Sequence, residues 1–163
     1  MNISAEDIGK ELGVSEWISF TQEEIDAFGK LTRDIDPYHM NPEWAQQHSP
    51  FKTTIAYGFL TLSMLSHFTH EILDWPTTSE ANPEGIALNY GFDKVRFLAP
   101  VPVNARIRCR LTLAALEEVR PGEWLRTFHC EVELEGSTKP ALVAIWKGLF
   151  VANDAGKRLT LEN

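Results

Sequence analysis

The chain has 163 residues, 44% of them apolar, with a formal net charge of -8 and a pI near 5.1. That length and apolar content suit one domain around one core, expected to span 1–163. The acidic balance disfavours nucleic acid or an anionic membrane surface as the main partner, because both select a basic footprint.

Two cysteines, Cys109 and Cys130, stand in strand-like segments without C-x-x-C spacing, as expected of buried thiols in a reducing compartment. The opening MNISAEDIGKEL is acidic and has no apolar signal-like stretch, and no apolar run approaches bilayer-spanning length. A soluble, cytoplasmic protein is expected.

After an apolar patch at Val14 to Phe20, Thr21-Gln-Glu-Glu24 has the form of a capping box, and Ile25, Phe28 and Leu31 follow at helical spacing. A helix is predicted from about Gln22 to Arg33. Pro37 cannot continue it and pushes Asp36 toward extended backbone, so Asp34 to His39 is expected to be irregular. Asn41-Pro42 then supplies an N-cap and an N1 proline for a short helix holding Glu43, Trp44 and Ala45. Tyr57 to Leu73 is apolar on several faces of a helical wheel, which predicts a core helix buried nearly all round. Thr77 to Gly85 reads as a loop.

From Ile86 the period changes to alternation. Ile107, Cys109, Leu111 and Leu113 share one face of a strand whose other face carries Arg106, Arg108, Arg110 and Thr112. Trp124 to Leu134 alternates too, with Phe128, Cys130, Val132 and Leu134 inward, and Pro121-Gly122 marks the turn before it. Ala141 to Val151 reads as a further strand entered through Gly136 to Pro140. The outline is α+β: helices first, then a curved antiparallel sheet wrapped around a long central apolar helix.

Asp34 and His39 lie five residues apart across a proline-bent loop, close enough to converge on one water or substrate atom. A carboxylate and an imidazole suit general acid and base work. Taken alone, an Asp and a His in a loop are more often a local backbone cap and a surface-packed ring. Gly58 opens the core helix, where the first amides lack intrahelical acceptors and sit at the positive end of the helix dipole, so they can hold a developing oxyanion. A tight loop-to-helix turn would also explain a glycine there.

The order Asp34-x-Asp-Pro-x-His39-x-Asn-Pro-x-x-Ala45, followed by Thr54-Ile-Ala-Tyr-Gly-Phe-Leu-Thr-Leu-Ser63, resembles the hydratase motif of the MaoC-like dehydratases and R-specific enoyl-CoA hydratases. Together with Asn89 to Phe97 (NYGFDKVRF) it is most similar to the nodulation protein N-like branch. The resemblance covers roughly Thr21 to Val103 in motifs and the later strands in pattern. It implies a hot dog fold, a homodimer with active sites near the subunit interface, and hydration of a trans-2-enoyl thioester to an R-3-hydroxyacyl thioester, or the reverse. Coenzyme A or acyl carrier protein would belong to the substrate, and no metal or redox cofactor is implied.

By the same resemblance Asp34 and His39 become the catalytic pair that binds water, Gly58 the amide that polarises the thioester carbonyl, and Ser63 a support for the aspartate. Ser63 is also explained as a small polar residue in a helix interior. Two positions depart from the family pattern. Tyr57 stands where histidine is frequent, which would reshape the acyl pocket, and Asp36 stands where asparagine is common, which would raise the pKa of Asp34 if both pointed inward. A thioesterase on the same fold and a non-catalytic acyl-thioester binding module are the alternatives.

His67, His70 and Glu71 could share a helical face, but no third ligand follows at a known metal spacing. Arg106, Arg108, Arg110, Lys94 and Arg96 are candidates for coenzyme A phosphates, and the solvated face of a strand explains the arginines as well. G-x-G-x-x-G, P-loop and G-x-S-x-G patterns are absent.

Overall fold

The computed structural model describes residues 3–75 and 85–153. The loop expected over Thr77 to Gly85 therefore lies outside the described residues except for Gly85, where a strand begins. A 3-10 turn, Ala5–Asp7, precedes β1 (Glu11–Val14) and β2 (Ile18–Ser19); then come α1 (Gln22–Thr32), α2 (Pro37–Met40), α3 (Pro42–His48), α4 (Gly58–Ser63) and α5 (Leu65–Leu73). Four long strands complete the chain: β3 (Gly85–Phe97), β4 (Arg106–Arg120), β5 (Glu123–Leu134) and β6 (Leu142–Ala152). The sheet runs β1-β4-β5-β6-β3, with β2 also on β4, and every pairing is antiparallel.

The capping box at α1 forms as its sequence requires: Thr21 Oγ1 accepts from the Glu24 amide, and the Glu24 carboxylate accepts from the Thr21 amide at 2.8 Å. On β4 and β5 the alternation sorts the faces. Ile107, Cys109, Leu111, Leu113, Phe128, Cys130 and Val132 are buried against the helix. Phe68, Leu65 and Leu73 of α5 are buried to within 1% of completely, each contributing on the order of 1.5–3 kcal/mol of burial free energy. Cys109 and Cys130 are both buried free thiols. The neighbouring Cys109 sulfur, followed by burial, pushes the Cys130 thiol far up.

The central helix departs from expectation twice. It is two helices joined at Met64, and the reason is local. Ser63 Oγ donates to the Leu60 carbonyl at 2.7 Å, the acceptor that the Met64 amide would take in an unbroken helix, and that amide turns to Leu62 instead. Nor is the helix buried all round: Phe59, Ser63, His67 and Glu71, four residues apart, form an exposed stripe, and Phe59 is 70% exposed. The strand β4 runs on past Leu113 to Arg120, still paired with β5, and an irregularity between Leu113 and Ala115 ends the alternation that marks its first half. The segment Asp34 to His39 is not wholly irregular either. Asp36 caps the single turn α2, with Pro37 at its first position.

Candidate active site

α1 ends at Arg33, whose left-handed backbone (φ 62) turns the chain so that the Asp34 amide donates to the Gly29 carbonyl at 3.0 Å. Asp34 thereby sits just past the helix, and α2 carries His39 one turn further on. Opposite them the segment Thr54 to Tyr57 is tied down by the Ile55 amide on the Tyr38 carbonyl (3.2 Å) and the Ala56 amide on the Val101 carbonyl (2.8 Å). These ties place Gly58, the first residue of α4, beside the loop.

Asp34, His39, Gly58, Phe59 and Phe97 line one hollow of about 420 Å³. The His39 Nδ1 lies 2.7 Å from the Ile55 carbonyl oxygen. A carbonyl can only accept, so Nδ1 carries the hydrogen, and Nε2 is the ring nitrogen left for a water or substrate. The ring stacks on Tyr57, centroids 3.8 Å apart, which fixes its plane. No side chain caps the N-terminus of α4, and a Cβ added at Gly58 would come within 3.0–3.3 Å of the Phe97 ring. The glycine thus keeps the approach to its amide open.

Tyr57 is buried, and its hydroxyl donates to the Asp34 carbonyl at 2.5 Å. Burial, then the charges of Asp34, Asp36 and Asp26, raise its pKa, so the phenol stays protonated as a donor. Tyr57 therefore holds the backbone of Asp34 and the ring of His39 together. Asp36 does not point at Asp34: its Oδ1 accepts from the Tyr38 amide at 2.8 Å, as an N-cap. Ser63 is not brought to Asp34 within the chain either. It lines an adjoining hollow with Phe59, Ser66 and Trp146.

One positioning residue carried no signal in the sequence. Gln22, in the first turn of α1, donates to the His39 carbonyl (2.7 Å) and to Asp26 Oδ1 (2.8 Å), and its Oε1 accepts from the buried Thr54 hydroxyl at 2.5 Å. It pins α2 and the Thr54 segment to α1. Only the pairing of a first-turn amide with a distant buried threonine identifies it, and that needs coordinates.

The basic candidates lie elsewhere. Arg106 pairs with Glu135, Arg108 and Arg110 with Glu133, and Arg110 with Glu11. Arg108 also covers the Trp17 ring at 4.4 Å. Lys94 and Arg110 share a hollow with His129 and Glu131, and Arg96 donates to its neighbour's carbonyl at Val95. None of these five lines the Asp34–His39 hollow. His67 Nε2 is 3.8 Å from Glu71 Oε2, whose partner oxygen accepts from the Glu16 amide at 2.7 Å. Among the described residues no group of three or more His, Cys, Asp or Glu could hold a metal, and no helix is long and apolar enough to cross a membrane.

A curved antiparallel sheet around a central helix, with an Asp/His loop facing that helix's N-terminus, defines the hot dog class. A sequence profile described as "MaoC like domain" matches residues 4–132, and the chain belongs to that family. It is 41% identical over 136 residues to 3-hydroxyacyl-thioester dehydratase Z of Mycobacterium tuberculosis, a match covering 83% of this chain and 85% of that one. It is 40% identical over 152 residues to nodulation protein N of Rhizobium leguminosarum bv. viciae, covering 92% and 91%. Among solved structures, the (R)-hydratase from A. caviae involved in PHA biosynthesis shares the fold with a TM-score of 0.70 at 20% identity, covering 90% of this chain and 98% of that one.

Proposed function

We propose that the chain is an enoyl-thioester hydratase, adding water to a trans-2-enoyl thioester to form the R-3-hydroxyacyl thioester, or catalysing the reverse dehydration. The observation that carries this reading is the convergence of Asp34, His39 and the uncapped α4 terminus on one hollow, with His39 Nδ1 committed to Ile55. With Nδ1 donating to Ile55, Nε2 is the nitrogen of His39 free to accept, as the Asp34 carboxylate oxygens are, so the two suit the hydrogens of one water and leave an oxygen lone pair for C3. As the C3–O bond forms, one of the pair takes a proton from the water, and the C2–C3 π electrons move onto the thioester oxygen. In this reading the Gly58 amide, at the uncapped start of α4, receives that negative charge. Collapse of the enolate with protonation of C2, from the group that took the proton, returns the site to its starting state.

The reading includes coenzyme A or acyl carrier protein as the carried handle of the substrate, and a homodimer. β3 is an edge strand, and along it Leu88, Tyr90, Phe92 and Phe97 are 42–65% exposed, continuous with exposed Phe59. An apolar edge of that kind fits a second copy of the chain.

Addition of the protein to crotonyl-CoA tests the function. Loss of the ultraviolet absorbance of the conjugated enoyl thioester, without release of free thiol, is the expected result. Thiol release with no hydration would replace the reading by a thioesterase. Binding with neither reaction would replace it by an acyl-thioester binding module.

A further inference from the structure

A second cavity of about 130 Å³ lies under α5, against the inner face of the sheet. Its floor is made where Asn89, Gly148 and Arg126 stand side by side on β3, β6 and β5. Gly148 leaves the floor low, since even a Cβ there would find its nearest atoms at 3.7 and 3.9 Å. The roof comes from Ser66, Thr69 and His70.

Three buried polar atoms around this cavity have no hydrogen-bond partner among the described residues: Thr69 Oγ1, His70 Nδ1 and Trp146 Nε1. Thr69 is 1% and Trp146 8% exposed, so bulk water does not satisfy them. Elsewhere in the chain helical threonines turn their hydroxyls back onto their own helix, Thr32 to Phe28 at 2.9 Å and Thr61 to Tyr57 at 3.4 Å. Thr69 does not. Leaving buried polar groups unpaired is costly, so three around one cavity call for an occupant that pairs with them. The indole N–H can only donate, while the hydroxyl and the imidazole can donate or accept. An oxygen group such as a hydroxyl or a carbonyl satisfies such a set.

The cavity is linked to the catalytic hollow by a third hollow that shares lining residues with each. The hollow between them shares Phe59 with the catalytic one, and Ser66, Asn89 and Trp146 with the polar one. The three succeed one another along α4 and α5, with Gly58 opening the first helix and Thr69 in the second, past the break at Met64. An acyl chain whose thioester carbonyl meets Gly58 would send its far end toward Thr69.

We propose that this cavity is a subsite for the distal end of the acyl chain, selecting chains that carry a hydroxyl or carbonyl oxygen there over plain hydrocarbon. The inference rests on the hydratase reading of the Asp34–His39 site. A hydrocarbon end would displace water from Thr69, His70 and Trp146 and return no hydrogen bond, which penalises it.

The test compares kcat/KM for crotonyl-CoA, a long-chain trans-2-enoyl-CoA, and the same chain with a terminal hydroxyl, in wild type and in Thr69→Val, whose side chain keeps the threonine's shape. The indole N–H resonance of Trp146, assigned by its loss in Trp146→Phe, is followed with the matching saturated acyl-CoAs. The hydroxylated chain should be preferred by at least about tenfold, the preference should collapse toward unity in Thr69→Val, and only the hydroxylated ligand should shift the indole signal downfield. Turnover of crotonyl-CoA with equal or better use of the plain long chain would overturn the inference alone, leaving the cavity to ordered water. No turnover of any enoyl thioester would remove the hydratase reading and the inference with it.

Discussion

Replacing Gly29 by alanine sets two effects against each other. Gly29 lies inside α1, where alanine is favoured over glycine by about 1 kcal/mol. The new Cβ would, however, run into the Tyr57 hydroxyl, and would lie 2.8 Å from Met40 Sδ and 3.0 Å from the Asp34 carbonyl oxygen. The methionine can move. The hydroxyl is held by its 2.5 Å bond to the same Asp34 carbonyl, on a buried ring stacked against His39. Overpacking of this kind costs about 1–3 kcal/mol, and losing the Tyr57–Asp34 bond adds about 1 kcal/mol. The net is a loss of about 1–3 kcal/mol, a fall in Tm of roughly 2–12 °C for a chain of this size. Because the displaced groups carry Asp34 and His39, hydratase kcat should fall by at least about tenfold as well. Thermal melts of Gly29→Ala, Tyr57→Phe and the double variant check the cause. With the hydroxyl gone the tightest of the three contacts is removed, so the double variant should be clearly more stable than the sum of the two single losses allows. A Gly29→Ala protein more stable than wild type, or strictly additive losses, would refute the argument.

Other expected outcomes follow from single contacts. Asp36→Ala removes the cap of α2, which should cost about 1 kcal/mol and lower Tm by about 2–4 °C in the same melts. The acid limb of stability depends in part on Glu133. Burial acts to raise its carboxyl, but hydrogen bonds from Arg108 and Arg110 outweigh that and hold it below the usual carboxylate range. A depressed folded pKa contributes stability above the unfolded value, near pH 4.5, and that stability disappears as pH falls through the folded value. Glu133→Gln should therefore flatten the dependence of Tm on pH below about pH 5, and an unchanged slope would speak against the pairing. Sedimentation should give a dimer for the wild type and a weakened or absent dimer for Tyr90→Lys, which places a charge on the exposed edge of β3; a monomeric wild type would rule out the assembly.

The parts legible in the sequence are those that depend on neighbours in the chain. The Thr21 capping box, the Asn41-Pro42 start of α3 and the alternation of β4 up to Leu113 and of β5 from Phe128 to Val132 each follow from local rules and appear as expected. The break at Met64 and the exposed Phe59 were not legible, because an apolar wheel does not record which face the sheet covers. For the same reason the arginines of β4 could not be placed until strand register set Arg108 opposite Glu133. At the site, Asp34, His39 and Gly58 were visible as residue types in a spacing, and the structure brings them to one hollow. The roles of Tyr57 and Gln22 were not, since both act through backbone carbonyls 17 to 23 residues away. The three polar atoms around the second cavity that have no partner among the described residues come from α5 and β6, and only folding brings them together.

The central claim is that the Asp34–His39 loop adds water to an enoyl thioester. The most direct measurement is the rate of enoyl absorbance loss for wild type, Asp34→Asn and His39→Ala, with thermal melts of all three. A rate that falls by about a hundredfold or more in each variant while the melts stay close to wild type is the predicted result. Variants that keep the wild-type rate would contradict it, and would move the chemistry away from this loop.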